Sequence, residues 1–250
     1  MLINIEESDF FKLKYYWGKL VKKINQPFFF EGSRRPDFKS VVKQLDYDRY
    51  WSERGFKMRS KLMEREAIFL DWIGPSSRVL DLGCGSSRLL HELKERKNCH
   101  VSGLDVSSLV IGGLEQMGIS VIKADIESAD FRLADKYDYV VISEVLEHLK
   151  YPEDLIVKIK NNADYLVISI PNSAFYRYRL GLLLTGRFFT QWMMHPAEHL
   201  RYWSHKDFLD WLVAQELEVI KFKASNGFHF KDVWPNLFGH QICYLTKVKA

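Results

Sequence analysis

The chain of 250 residues is long enough for one large α/β domain or two small ones, and 47% hydrophobic against 27% charged residues is a globular composition. Disordered, collagen-like and fibrous classes are excluded, and a formal charge of +4 over this length does not mark a nucleic-acid binder on its own. The surplus is concentrated: residues 1–61 hold 14 Lys/Arg against 8 Asp/Glu, so attraction to an anionic partner is expected in that part.

Residues 1–45 mix Phe10, Phe11, Tyr15, Tyr16 and Trp17 with Lys12, Lys14, Lys19, Lys22 and Lys23 and break at Pro27 and Pro36. The pattern predicts a helix and loop that either cap the main domain or present a basic-aromatic face, and residues 1–49 are set apart as an N-terminal cap or extension. The acidic start Met1–Asp9 does not fit a secretory signal. Cys84, Cys99 and Cys243 show no C-x-x-C spacing, so a reducing, cytoplasmic setting is expected. The most apolar run, Leu180–Arg187, is far short of the roughly 20 residues of a spanning helix. The expectation is a cytoplasmic protein, at most peripheral to the inner face of a membrane.

From Tyr50 to Trp72, apolar positions recur mainly at three- and four-residue intervals, which predicts one amphipathic helix ended by Gly74-Pro75. Arg78-Val-Leu-Asp-Leu-Gly then reads as a buried parallel strand. The alternation continues with a helix from about Ser86 to Lys97, a strand His100–Leu104, a helix Ser107–Met117, and strands Ser120–Lys123 and Tyr137–Ser143. A helix Pro152–Asn162 and a strand Tyr165–Ile170 follow; such βαβ alternation implies a mostly parallel sheet covered on both faces. About thirty irregular residues then precede a helix Ser204–Gln215 and strands Leu217–Lys223 and Gln241–Val248.

Asp81-Leu-Gly83-Cys84-Gly85-Ser-Ser-Arg88 lies between a strand and a helix, where glycines admit a ligand close to the backbone. Arg88 stands where a dinucleotide fingerprint has its third glycine, and no Gly-Lys-Ser/Thr follows, so a nucleoside cofactor without a phosphate is expected. Asp105 ends the second strand, 22 residues after Gly83, where a carboxylate can accept both ribose hydroxyls. Asp125 follows the third strand, suited to an adenine amine, with Ile126 covering the ring. Asp81 ends the first strand, close to where a cationic amino-acid tail would lie.

These segments, Val79-Leu-Asp-Leu-Gly-Cys-Gly, Gly103-Leu-Asp-Val-Ser, Ala124-Asp-Ile and Tyr137-Asp-Tyr-Val-Val-Ile-Ser-Glu-Val-Leu-Glu-His-Leu, together resemble the class I S-adenosylmethionine-dependent methyltransferases over roughly residues 50–250. The resemblance implies a Rossmann-like α/β fold with a mostly parallel seven-stranded sheet and a C-terminal antiparallel hairpin. It implies S-adenosylmethionine as cofactor, with Asp81, Gly83, Cys84 and Gly85 at the methionine part, Asp105 and Val106 at the ribose, Asp125 and Ile126 at the adenine, and Ser143 at the end of the fourth strand. Ser86-Ser87 stands where the family often has a further glycine.

Glu144-Val-Leu-Glu147-His148 lies at the same sheet edge, and His195-Pro-Ala-Glu198-His199 comes from the irregular stretch. This combination is similar to the magnesium-dependent 2′-O-methyltransferases of small-RNA ends, and the Glu-x-x-Glu-His element also occurs in ubiquinone-type O-methyltransferases. The resemblance implies Glu144, Glu147, His148 and His199 as ligands of Mg²⁺, with His148, Glu144 and His199 as catalytic candidates. The competing interpretation makes His148 a general base or a pocket wall and His195 and His199 lid residues. Residues 171–203, rich in aromatics and arginines, are expected to form an acceptor lid, and their Pro-Asn start and Leu-Leu-x-Gly-Arg resemble MetW-like methyltransferases. The expected activity is O-methylation of a small-molecule, glycan or lipid-linked acceptor. The alternatives are methylation of an RNA terminus and a non-catalytic cofactor-binding partner of another protein.

Overall fold

The computed structural model describes residues 45–186, 188 and 198–249. The expected N-terminal cap lies almost wholly outside the described residues, as do His195 and much of the expected lid. Among the described residues, seven strands form one sheet in the order β3-β2-β1-β4-β5-β7-β6. β1 (Arg78–Leu82) pairs in parallel with β2 (His100–Asp105) and β4 (Tyr137–Ser143). β3 (Ser120–Lys123) and β5 (Ala163–Pro171) extend the parallel part on either side. β7 (Gly239–Val248) runs antiparallel to β5, and β6 (Leu217–Gly227) antiparallel to β7. This is the expected class I methyltransferase arrangement with its C-terminal antiparallel pair.

The strands are nearly continuous aliphatic runs because both faces are covered. Leu80, Leu82, Val140, Ile142, Leu166 and Ile168 face α5 (Pro152–Ile159) and α7 (His205–Ala214) through Leu155, Ile156, Phe208 and Leu212. Their neighbours Val79, Val141 and Val167 face α2 (Glu64–Trp72) and α3 (Leu89–Lys97) through Phe69, Leu89 and Leu93. Each such fully buried side chain contributes about 1.5–3 kcal/mol.

α4 (Ser108–Glu115) carries Gly113, where a Cβ would lie 3.0 Å from Phe56 Cε1 and Met58 Sδ. The small residue lets the segment before α2 lie directly on α4. That segment is not the continuous helix expected from Tyr50 to Trp72. α1 (Tyr47–Glu53) is capped by Asp46, whose side chain accepts from the Asp48 and Arg49 amides, and it stops at Gly55 with φ of +63°. An irregular stretch runs to α2, so the amphipathic spacing belongs to a folded-back cover rather than to one rod. The stretch after β5 is also more regular than expected: α6 (Tyr176–Thr185) begins five residues beyond Pro171 and ends at Gly186 with φ of +65°.

Register fixes what comes next. Leu82 aligns with Leu104 and with Ile142, so β1, β2 and β4 end at one edge. The strand order reverses between β1 and β4, and a crevice opens there at the carboxyl ends.

Candidate functional site

A cavity of about 440 Å³ fills that crevice and runs from Asp105, Asp125 and Ile126 past Asp81 and Ser143 to Glu147, His148, His199, Tyr178 and His240. Its size is in the range of small-molecule sites. At one end the glycine turn after β1 is held by the Gly83 and Cys84 amides, which donate to the Leu104 carbonyl at 2.7 and 3.3 Å. Gly83 has φ of +66°, and a Cβ there would stand 2.8 Å from Val145 Cγ2. The Cys84 thiol turns to the Leu104 carbonyl at 3.6 Å.

Asp105 organises the same turn: Oδ2 accepts from the Gly85 amide at 3.0 Å and Oδ1 from the Ser107 amide at 2.9 Å. Each oxygen keeps a lone pair for a ligand hydroxyl. Burial raises its pKa, against the amides that favour the charged form. Val106 and the exposed Asp125 border the cavity beyond it, Asp125 accepting from the Glu127 amide at 2.9 Å. Asp81 is fully buried, its Oδ1 has no partner, and burial together with Glu66 and Asp105 pushes its pKa well up. An orphaned carboxylate of this kind favours a cationic ligand group.

The cover comes from α1 and α2. Ser107 Oγ donates to Asp48 Oδ1 at 2.6 Å, which pins α1 to the start of α4, and Trp51 lies 3.1 Å from where a Gly85 Cβ would be. Arg65, although only 8% exposed, donates from Nε to Ser143 Oγ at 3.1 Å and is the nearby positive charge for both Asp81 and Glu144. Arg59 pairs with the buried Glu66 at 3.2 Å.

At the far end, a 3₁₀ turn Leu146–His148 follows β4. Glu144 before it has φ of +56°, a left-handed conformation that costs a non-glycine residue about 1–3 kcal/mol. Its Oε2 accepts from Gln241 Nε2 at 2.7 Å. Glu147 is buried with neither carboxylate oxygen partnered, and burial followed by Glu144 pushes its pKa well up. The Glu147 carbonyl accepts the Leu200 and Arg201 amides at 2.7 and 3.1 Å, which straps residues 198–201 across the turn. The strap brings His199 edge-on to His148 with ring centroids 4.7 Å apart. His148 Nδ1 bonds the Glu198 carbonyl, His199 Nδ1 has no partner, and burial, then His148 and Arg54, pushes the His199 pKa down to about 3. One ligand atom from each of Glu147, His148 and His199 lies within 4.8 Å of the others. Arg54 stacks 3.7 Å over Tyr50 and pairs with Glu198 at 3.0 Å, joining the α1 cover to the strap.

Thus Asp81, Gly83, Cys84, Gly85, Asp105, Val106, Asp125, Ile126, Ser143, Glu144, Glu147, His148 and His199 all border one cavity. Glu144 departs from the expected ligand set: it turns to Gln241, and among the described residues the converging donors are Glu147, His148 and His199. Arg65 and Glu66 were missed. Their signal was present, because at helical spacing Arg65 falls in line with Phe69 and Trp72 and Glu66 with Phe69 and Ile73, and a charge on the buried stripe needs a partner inside. Tyr178, His240 and Gln241 carried no comparable signal. They reach the site because Asn172, fully buried, donates from Nδ2 to the Gly239 carbonyl at 2.7 Å and accepts the Ala174 amide at 3.1 Å, tying the start of α6 to β7.

The model of the family described as methionine biosynthesis protein MetW matches residues 64–246. A ubiquinone biosynthesis O-methyltransferase from Hahella chejuensis is 35% identical over 134 residues, covering 48% of this chain and 54% of the relative. An N-methyltransferase 4 from Papaver somniferum is 34% identical over 91 residues, 33% of this chain and 26% of the relative. The chain thus spans about half or less of the length of these curated relatives. A solved S-adenosylmethionine-dependent methyltransferase from Clostridium acetobutylicum superposes with a TM-score of 0.53 at 13% identity over 82% of this chain and 99% of that one. The [4+2]-cyclase SpnF superposes with a TM-score of 0.57 at 11% identity over 82% and 95%. These structures share the fold, and the cyclase shows that the fold alone does not set the reaction.

Proposed function

The chain belongs to the MetW family, and from that premise we propose that it is an S-adenosylmethionine-dependent methyltransferase acting on a hydroxyl of a small-molecule, glycan or lipid-linked acceptor. The observation that carries this reading is the single cavity that joins strand-end carboxylates at one end to buried, unpartnered proton acceptors at the other. S-adenosylmethionine, when bound, supplies a sulfonium-activated methyl group. Asp105 accepts the ribose hydroxyls, Asp125 and Ile126 hold the adenine, and the orphaned Asp81 Oδ1 accepts from the ammonium while Arg65 holds the carboxylate of the amino-acid tail. In this reading residues 171–203 serve as acceptor lid, and residues 1–49 as a cap or extension, most of them outside the described residues.

At the acceptor end His148, with Nδ1 committed to Glu198, keeps its other ring nitrogen as the proton acceptor for the attacking hydroxyl. Glu198 and His199 of the strap, with Tyr178 and Arg54, line the cavity around it. The unpartnered Glu147 and His199 support a second, alternative reading in which Glu147, His148 and His199 would hold a divalent cation that would lower the pKa of the acceptor hydroxyl, His148 then serving through its free ring nitrogen as a ligand and not as the base. One carboxylate and two imidazoles suit Zn²⁺ or Mn²⁺ better than Mg²⁺, which prefers oxygen ligands.

Calorimetric titration with S-adenosylmethionine, S-adenosylhomocysteine and NAD tests the proposal. Binding of the first two and not of NAD, followed by methyl transfer to a hydroxyl acceptor and not to its amine analogue, is expected. Absence of binding by either adenosyl ligand would overturn it.

A further inference from the structure

The outer side of the acceptor end carries a surface that the methyl-transfer chemistry does not use. Leu183 and Leu184 near the end of α6 are 77% and 75% exposed, and Phe188 beyond it is 81% exposed. A second cluster lies on the β6–β7 connection, where Phe230, Val233 and Trp234 are also exposed. Soluble proteins seldom leave this many large apolar side chains in water without a use for them.

The two clusters share one support. Tyr176 in the first turn of α6 packs against Phe228 and Phe238 with centroids 5.8 Å away in each case. Arg179 Nη2 donates to the Asn236 carbonyl at 3.4 Å, and Asn172 Nδ2 donates to the same oxygen at 3.1 Å. α8 (Pro235–Phe238) is thereby fixed beside α6.

Charge selects the occupant. On the described face the charges are Arg177 and Arg179 on α6, which carries no Asp or Glu, and Lys231, paired with Glu64, and Asp232 on the connection. Apolar side chains mixed with a surplus of arginines match the interface of an anionic bilayer, where leucine, phenylalanine and tryptophan enter the acyl boundary and guanidinium groups meet phosphates. A two-fold contact with a second copy would bring two arginines from each α6 together against one Asp232 from each connection, leaving like charge in surplus. α6 is ten residues, about 15 Å, and among the described residues no helix is long and apolar enough to cross a membrane, so the contact would lie in the interface.

We propose that α6 and the Phe228–Trp234 connection form a docking face for an anionic lipid surface, through which a lipid-embedded acceptor reaches the Tyr178–His240 end of the cavity. Tyr178 links the two, since it stands between Arg177 and Arg179 and hydrogen-bonds His240 inside the cavity at 2.8 Å. The delivery of an acceptor rests on the methyltransferase reading; the docking itself does not.

The test is flotation of the full chain with phosphatidylcholine vesicles, with and without phosphatidylglycerol, at low and high salt. Binding only to the phosphatidylglycerol vesicles, weakened by salt, is expected. Leu183→Asp/Leu184→Asp and Val233→Asp/Trp234→Ala should each reduce partitioning on the order of tenfold, with S-adenosylhomocysteine binding and thermal midpoint unchanged. No flotation of the parent chain, or flotation unaffected by both double variants, would overturn the proposal. So would a concentration-dependent dimer in sedimentation that the same substitutions abolish, since the face would then be a self-interface. Vesicle binding without S-adenosylhomocysteine binding leaves docking intact and removes the enzyme reading; the reverse removes docking alone.

Discussion

Replacing Asp105 by alanine isolates the end of the cavity at which the nucleoside is proposed to bind. Both oxygens of this carboxylate already accept backbone amides, Gly85 at 3.0 Å and Ser107 at 2.9 Å, so the substitution removes a ligand contact and also slackens the glycine turn. Hydrogen bonds from ribose hydroxyls to a charged acceptor are worth about 1.5–3 kcal/mol. That corresponds to a roughly 10- to 150-fold rise in Kd at about 1.4 kcal/mol per tenfold. The Gly85 amide lines the cavity, where water can replace the lost oxygen, whereas the Ser107 amide is buried and would be left unpaired, so a fall in thermal midpoint should accompany the loss of affinity. Calorimetric titration with S-adenosylhomocysteine, alongside thermal unfolding, separates the two. A Kd within twofold of the parent would refute the ribose contact, and a lowered midpoint beside it would show that Asp105 serves only the turn.

Gly83→Ala places a side chain on a backbone with φ of +66° and 2.8 Å from Val145 Cγ2, and should cost about 1–2 kcal/mol from the backbone alone plus the clash. In urea denaturation the added Val145→Ala change should recover the clash but not the backbone part; full recovery would refute the strain argument. If Glu147, His148 and His199 hold a cation, Mn²⁺ or Zn²⁺ at about a hundred times its Kd should stabilise the chain by about 2.7 kcal/mol. His199→Ala should abolish that gain, and no shift with either metal in the parent would leave His148 acting alone as base. Burial and then the charge of Arg177 push the His240 pKa from 6.5 down to about 4. Between those values the unfolded chain binds a proton that the folded one refuses, so stability falls as pH falls, by about 3 kcal/mol in all. His240→Gln retains a hydrogen-bonding partner for Tyr178 and should flatten the acid limb of a stability–pH profile; an unchanged limb would assign the loss to other groups.

The strands, their parallel order and the carboxylates at their ends were legible residue by residue. A short aliphatic run closed by glycine or aspartate can be satisfied only as a buried strand whose polar end reaches the sheet edge, and Asp81, Asp105 and Asp125 follow from that local logic. The cover was not legible in the same way. Apolar spacing from Tyr50 to Trp72 is the same for one helix as for two helices with a fold between them, and Gly55 with the cleft in α4 at Gly113 decides which.

The Glu147–His199 end of the cavity depended most on the tertiary structure. Glu144, Glu147 and His148 are close in sequence, yet a left-handed residue at Glu144 and a 3₁₀ turn send their side chains different ways, so that Glu144 joins Gln241 instead of the histidines. His199 arrives from fifty residues away because backbone amides of its own strap find the Glu147 carbonyl. Sequence by itself determined the sheet and the carboxylates at its strand ends, since burial and turn chemistry act over a few residues. Which donors meet at the other end, and which apolar side chains remain in water, was decided only by tertiary structure, because those contacts join segments whose separation no local pattern records.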